Sequence, residues 1–142
     1  MGIIFSVCSH SQEEKSNSVQ LIEINSEIKF NWDNSTSKIV DDELWIKLKT
    51  SFQTHKRTLI KEVSNHELTN AKVCKVEDKL TKGQMAFIAL DQLEGIPYAL
   101  VFEIQYCIMY IDCPYIGGLI ESIENNKDAS DQLMNYYYKE KK

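Results

Sequence analysis

The sequence predicts an α+β fold, an antiparallel sheet of about five to seven strands with one long central helix and a C-terminal helix packed against it. Three observations lead there. Apolar residues alternate with a period of two through 19–32 and again through 97–113. Between these stretches Trp45, Leu48, Phe52, Leu59 and Val63 recur at helical spacing. Near the end Leu119, Ile120, Ile123, Leu133, Met134 and Tyr137 do so again. A chain of 142 residues is long enough for one domain with a substantial core.

Taken in order, residues 9–18 are polar and read as a flexible spacer. Val19, Leu21 and Glu23 alternate with Gln20, Ile22 and Ile24; after Asn25-Ser26-Glu27, Ile28, Phe30 and Trp32 resume the alternation. This pattern predicts two short strands joined as a hairpin. The cluster Asp33-Asn34-Ser35-Thr36-Ser37 is a loop. Asp41 is a suitable N-cap, and Asp42 and Glu43 complement the positive end of a helix running over 41–64. Lys47, Lys49, Lys56, Arg57 and Lys61 fall mostly off its apolar stripe, whereas His55 falls on it and is expected to be a buried or edge histidine with one hydrogen bond. Residues 65–82 form an irregular segment with some strand. Residues 84–90 are apolar on both faces and read as a central strand, followed by a hairpin loop over 91–95. Residues 97–113 then carry the strongest strand pattern, with Pro114 ending it and a turn through Gly117-Gly118. The C-terminal helix is expected to be interrupted near Asn125-Asn126.

The element order β-β-α-(β)-β-β-α resembles, in topology, longin and profilin-like modules and pleckstrin-homology-like domains, which also end in a helix. The resemblance implies a chain path only, since no residue motif accompanies it, and no functional residue is carried over.

Composition excludes several classes. Arg57 is the only arginine among sixteen basic residues, and the net charge is −5, which argues against nucleic-acid recognition. The longest apolar run is too short to cross a bilayer, and the N-terminus lacks the basic and apolar regions of a secretory signal. Cys8, Cys74, Cys107 and Cys113 form no CxxC pair or finger spacing. Without a secretory signal, Cys74, Cys107 and Cys113 are expected to be reduced and mostly buried.

The most informative stretch is Met1-Gly2-Ile3-Ile4-Phe5-Ser6-Val7-Cys8. Gly2 after the initiator Met, with Ser6 following, is the N-myristoylation pattern; the freed glycine amine is the acyl acceptor. One myristoyl chain binds membranes only at about 10⁴ M⁻¹, so stable anchoring needs a second signal. The first eleven residues carry no charged side chain, which leaves palmitoylation of Cys8 as that signal. The chain is thus expected to divide into a lipidated anchor and spacer over 1–18 and one α+β interaction domain over 19–142.

No catalytic motif is present: no Walker loop, GxSxG, HExxH or EF-hand loop. Glu103, mid-strand between Phe102 and Ile104, would become an acid or base if buried. Cys107 with His55 or His66 would make a thiol–imidazole pair, and Cys107, Cys113 and a histidine a zinc site, though neither follows a common spacing. Gly117-Gly118 before a helix would suit an anion. The expectation is therefore a non-enzymatic adaptor with no cofactor or metal, lipid-anchored at the cytoplasmic face of a membrane and not secreted, presenting its domain to a protein or lipid. The alternatives are a soluble trafficking or interaction module whose first strand is residues 2–7, and a small thiol- or carboxylate-dependent enzyme.

Overall fold

A computed structural model describes residues 18–74, 78–102 and 119–139. Its elements run β1 (Val19–Glu23), β2 (Lys29–Asp33), β3 (Lys38–Ile39), α1 (Glu43–Thr50), α2 (Phe52–Glu62), α3 (Lys82–Glu94), α4 (Tyr98–Phe102), α5 (Leu119–Asn125) and α6 (Ala129–Tyr138).

The hairpin forms as its alternation demands. β1 and β2 pair antiparallel, with Ile22 opposite Phe30 and Leu21 opposite Asn31. Ile22, Ile24, Ile28, Phe30 and Trp32 are buried, while Leu21 points outward and is 59% exposed. Asn25 fixes the turn, because its Oδ1 accepts from the backbone N–H of Glu27 and of Ile28, each at 2.8 Å. β3 adds two residues to the other edge of β2.

The sheet therefore has three strands among the described residues, not about five to seven. Residues 84–90 lie in α3, a thirteen-residue helix whose residues Gly83 through Leu90 are all buried. A helical stretch enclosed on every side, as 83–90 is, has no polar face, so it shows no helical stripe and mimics a central strand. Its start is marked by a capping box, in which Thr81 accepts from the Gln84 N–H and Gln84 Oε1 accepts from the Thr81 N–H. Residues 98–102, expected to open a long strand, form α4 directly after Pro97; the rest of that stretch lies outside the described residues.

The long central helix is also corrected. It is two helices, α1 and α2, parted at Ser51. Thr50 Oγ1 donates to the Ile46 carbonyl and Ser51 Oγ to the Lys47 carbonyl, both at 2.9 Å. Such side-chain bonds to the preceding turn bend helices. The N-cap is Asp42 rather than Asp41: its Oδ1 accepts from the Trp45 N–H at 3.2 Å, and its Oδ2 accepts from Asn31 Nδ2 at 2.8 Å, tying α1 to β2. Phe30 and Trp45 meet edge to face across the same junction.

The described part of segment 63–81 is irregular, with an antiparallel bridge between Leu68 and Thr81. It is held to the hairpin side by Trp32 Nε1 donating to the Lys72 carbonyl at 2.9 Å and Lys72 N–H donating to Asn34 Oδ1 at 2.8 Å. Cys74 lies here in left-handed backbone, φ 51°, half-buried and disulfide-bonded, which corrects the expectation of a reduced thiol. At the end of the segment α3 meets α2 closely. A Cβ on Gly83 would lie 2.2 Å from the Val63 carbonyl oxygen, so only glycine fits. The break expected near Asn125-Asn126 separates α5 from α6. α5 packs on α3, and α6 packs on α2 and α4.

Candidate functional site

The α1–α2 pair has an inner and an outer side, and the basic residues divide between them. Residues 44–61 contain Lys47, Lys49, Lys56, Arg57 and Lys61 and no Asp or Glu; removing that +5 from the whole-chain −5 leaves −10 on the rest. Trp45, Leu48, Phe52, Lys56, Leu59 and Ile60 are buried against the core. Lys47, Lys49, Arg57 and Lys61 are exposed, together with Ile46 at 53%. The exposed charges of this pair are thus cationic on an otherwise acidic protein. Lys49 touches Asp41 at 3.9 Å, an exposed contact worth little.

Lys56, by contrast, is enclosed. Its side chain is 9% exposed, and its ammonium donates to Glu94 Oε1 at 2.8 Å and lies 2.7 Å from Oε2. The same Nζ stands 3.9 Å from the centre of the Tyr137 ring, with Phe52 and Tyr138 further off. Arg57 covers Tyr138 at 4.1 Å. Carboxylate and ring faces together compensate the buried charge. The Tyr137 hydroxyl is buried without a hydrogen-bond partner. Burial, reinforced by the nearby Glu94 carboxylate, pushes its pKa up to about 12. This seam joins α2, α3 and α6 and leaves no ammonium available to a ligand.

A cleft of about 380 Å³ opens at the edge of the outer face, where the β1–β2 turn meets α1 and α2. Ser26, Glu27 and Lys29 come from the hairpin, Leu44, Lys47 and Leu48 from α1, and Ser51 and His55 from the α1–α2 break and α2. The Asn25 turn sets the first group and the Ser51 break brings the last toward it. Lys29 contacts Glu23 at 3.8 Å, with both side chains largely exposed. Among the described residues no side-chain hydrogen bond or ion pair engages Lys47 or His55. The cleft can therefore offer two ammonium groups, an imidazole, the Glu27 carboxylate and the Ser26 hydroxyl beside apolar Leu44 and Leu48.

His55 is half-buried at this rim and, among the described residues, lacks the single hydrogen bond expected of it. His66 is elsewhere: its Nδ1 lies 2.8 Å from Glu124 Oε1, while Thr81 Oγ1 donates to Glu124 Oε2 at 3.0 Å, fastening α5 to the start of α3. Gly2, Cys8, Glu103, Cys107, Cys113, Gly117 and Gly118 lie outside the described residues. Among the described residues no group of three or more His, Cys, Asp or Glu could hold a metal ion, and no helix is long and apolar enough to cross a membrane. Sequence reasoning had the basic residues of α1 and α2 but not the cleft, whose other wall comes from the hairpin. No protein-family model, curated protein or solved structure matches this chain.

Proposed function

We propose that this protein is a non-enzymatic adaptor tethered to the cytoplasmic face of a membrane through N-myristoylation at Gly2 and palmitoylation at Cys8. The observation that carries the reading is the Gly2–Ser6 pattern with Cys8 in an uncharged N-terminal run. The charge division of the folded part supports it. Lys47, Lys49, Arg57 and Lys61 are exposed on the α1–α2 pair of a protein that is acidic elsewhere. Near an anionic leaflet each such charge contributes about 1 kcal/mol. The acyl chains supply residence at the bilayer, and these charges orient the domain on it.

Membrane fractionation of cells expressing the full chain tests this. Wild type is expected in the membrane fraction, Gly2→Ala in the cytosol, and Cys8→Ser divided between the two; a Gly2→Ala protein still wholly on membranes overturns the reading. The Cys74 disulfide gives an independent check on the compartment, because thiols on the cytoplasmic side are kept reduced. Labelling of Cys74 by alkylation in intact cells supports the cytoplasmic reading. A disulfide that persists there assigns the chain to an oxidising compartment instead.

A further inference from the structure

We propose that the cleft between the β1–β2 turn and the α1–α2 pair binds a phosphorylated polyol headgroup of a membrane lipid, of the inositol phosphate class. The inference rests on the membrane reading above and deepens it by giving the cationic helix pair a specific ligand.

Chemistry and size argue together. A phosphomonoester carries a charge of about −1.5 to −2 near neutral pH and three strong acceptor oxygens. Lys47 and His55 reach the cleft with no side-chain partner among the described residues, and Lys29 has only a long, solvated contact with Glu23. Three nitrogen groups thus line the cleft, and of these only Lys29 has a carboxylate contact. Simple phosphate would not explain the remaining lining. Glu27 places a carboxylate on the rim, which repels an anion but accepts hydrogen bonds from hydroxyls. Ser26 adds a hydroxyl, Ser51 an oxygen that can accept while its proton bonds the Lys47 carbonyl, and Leu44 and Leu48 add apolar surface. A hydroxylated ring bearing phosphate satisfies both the cations and the carboxylate. The volume, about 380 Å³, lies within the range of small-molecule sites, about 300–1,000 Å³, and exceeds what one phosphate needs. Exposed Lys49, Arg57 and Lys61 on the same pair of helices would face the surrounding anionic lipid.

The test uses the full chain in two arms. In the first, unacylated protein is titrated with soluble inositol phosphates and with inorganic phosphate, following the His55 imidazole and backbone amides by NMR. Inositol phosphates are expected to shift His55 and the amides of 26–29 and to bind more tightly than inorganic phosphate. Lys47→Ala should weaken them about tenfold or more, the loss of one charged hydrogen bond, whereas Lys61→Ala, outside the cleft, should not. Glu27→Gln should narrow the difference between inositol phosphate and inorganic phosphate. In the second arm, acylated protein is sedimented with phosphatidylcholine vesicles carrying either phosphatidylserine or a phosphoinositide at matched charge. Preference for the phosphoinositide, lost in Lys47→Ala, is the expected result. Equal binding to the two vesicles, equal effects of Lys47→Ala and Lys61→Ala, or equal affinity for inositol phosphate and inorganic phosphate each overturns the proposal. The two readings fail separately: an unmodified Gly2 in native protein removes the anchor but not the first arm, while an acylated chain with no headgroup preference removes only the cleft ligand.

Discussion

The two sides of the α1–α2 pair hold the same residue type in opposite circumstances. Lys56, on the inner side, gives its charge to Glu94 and the Tyr137 ring and is almost wholly enclosed. Lys47, nine residues earlier on the pair, stands at an open cleft with no partner among the described residues. Burial makes a lysine expensive unless it is compensated, so an enclosed lysine becomes a structural part. An exposed one costs the fold almost nothing and stays available for a ligand. Composition alone would have counted both as one basic helix.

If this division holds, substitutions on the enclosed side should cost stability, and those on the open side should not. The largest effect is expected at Gly83→Ala, where the added methyl meets the Val63 and Asn65 carbonyls on the enclosed side. Backbone must move there, and a loss of about 3 kcal/mol or more is expected in chemical denaturation. Next is Lys56→Ala, which leaves Glu94 facing the seam alone and removes the stem packed on Tyr137. Because Glu94 keeps partial access to water, the loss is expected at about 2–3 kcal/mol, below that of a fully buried pair. Lys56→Met retains the stem and should cost less.

Tyr137→Phe should be neutral or stabilising by up to about 1 kcal/mol, since it removes an orphaned hydroxyl and keeps the ring under Lys56. It also has a pH signature. The hydroxyl's pKa is about 10 in the unfolded chain and about 12 in the fold, so the folded state favours the protonated form. That contribution is full below pH 10 and is lost as pH rises through 12. Wild type should therefore lose more stability than Tyr137→Phe over this window, measured by denaturation at a series of pH values. The smallest effects belong to Lys49→Ala and Lys61→Ala, expected within about 0.5 kcal/mol of wild type, while their double substitution lowers sedimentation with anionic vesicles. A large stability loss in that pair would erase the distinction between the two sides.

How far such a division could be read in advance depended on whether an element kept one wet face. The hairpin did, so Ile22, Phe30 and Trp32 fell in register. α1 announced its start through Asp41-Asp42, one residue from the observed cap. α3 kept none, and its apolar run looked like a strand although Thr81-Lys82-Gly83-Gln84 carried the signature of a capping box. The break at Ser51 was masked by a continuous apolar stripe, with Thr50 and Ser51 as its only local sign. The cleft was out of reach for another reason. It is assembled from residues about twenty positions apart, Glu27 and Lys47 among them, and periodicity along a chain says nothing of which wall a turn will face.

The Asn25 turn has a consequence for how this protein can change. Its geometry is secured by hydrogen bonds spanning no more than four residues, and the side chains of Ser26 and Glu27 stand exposed rather than in the core. Variation at those two positions can accumulate without threatening the ability to fold, so this rim of the cleft can be retuned while the core that carries its opposite wall, Leu48 included, stays fixed.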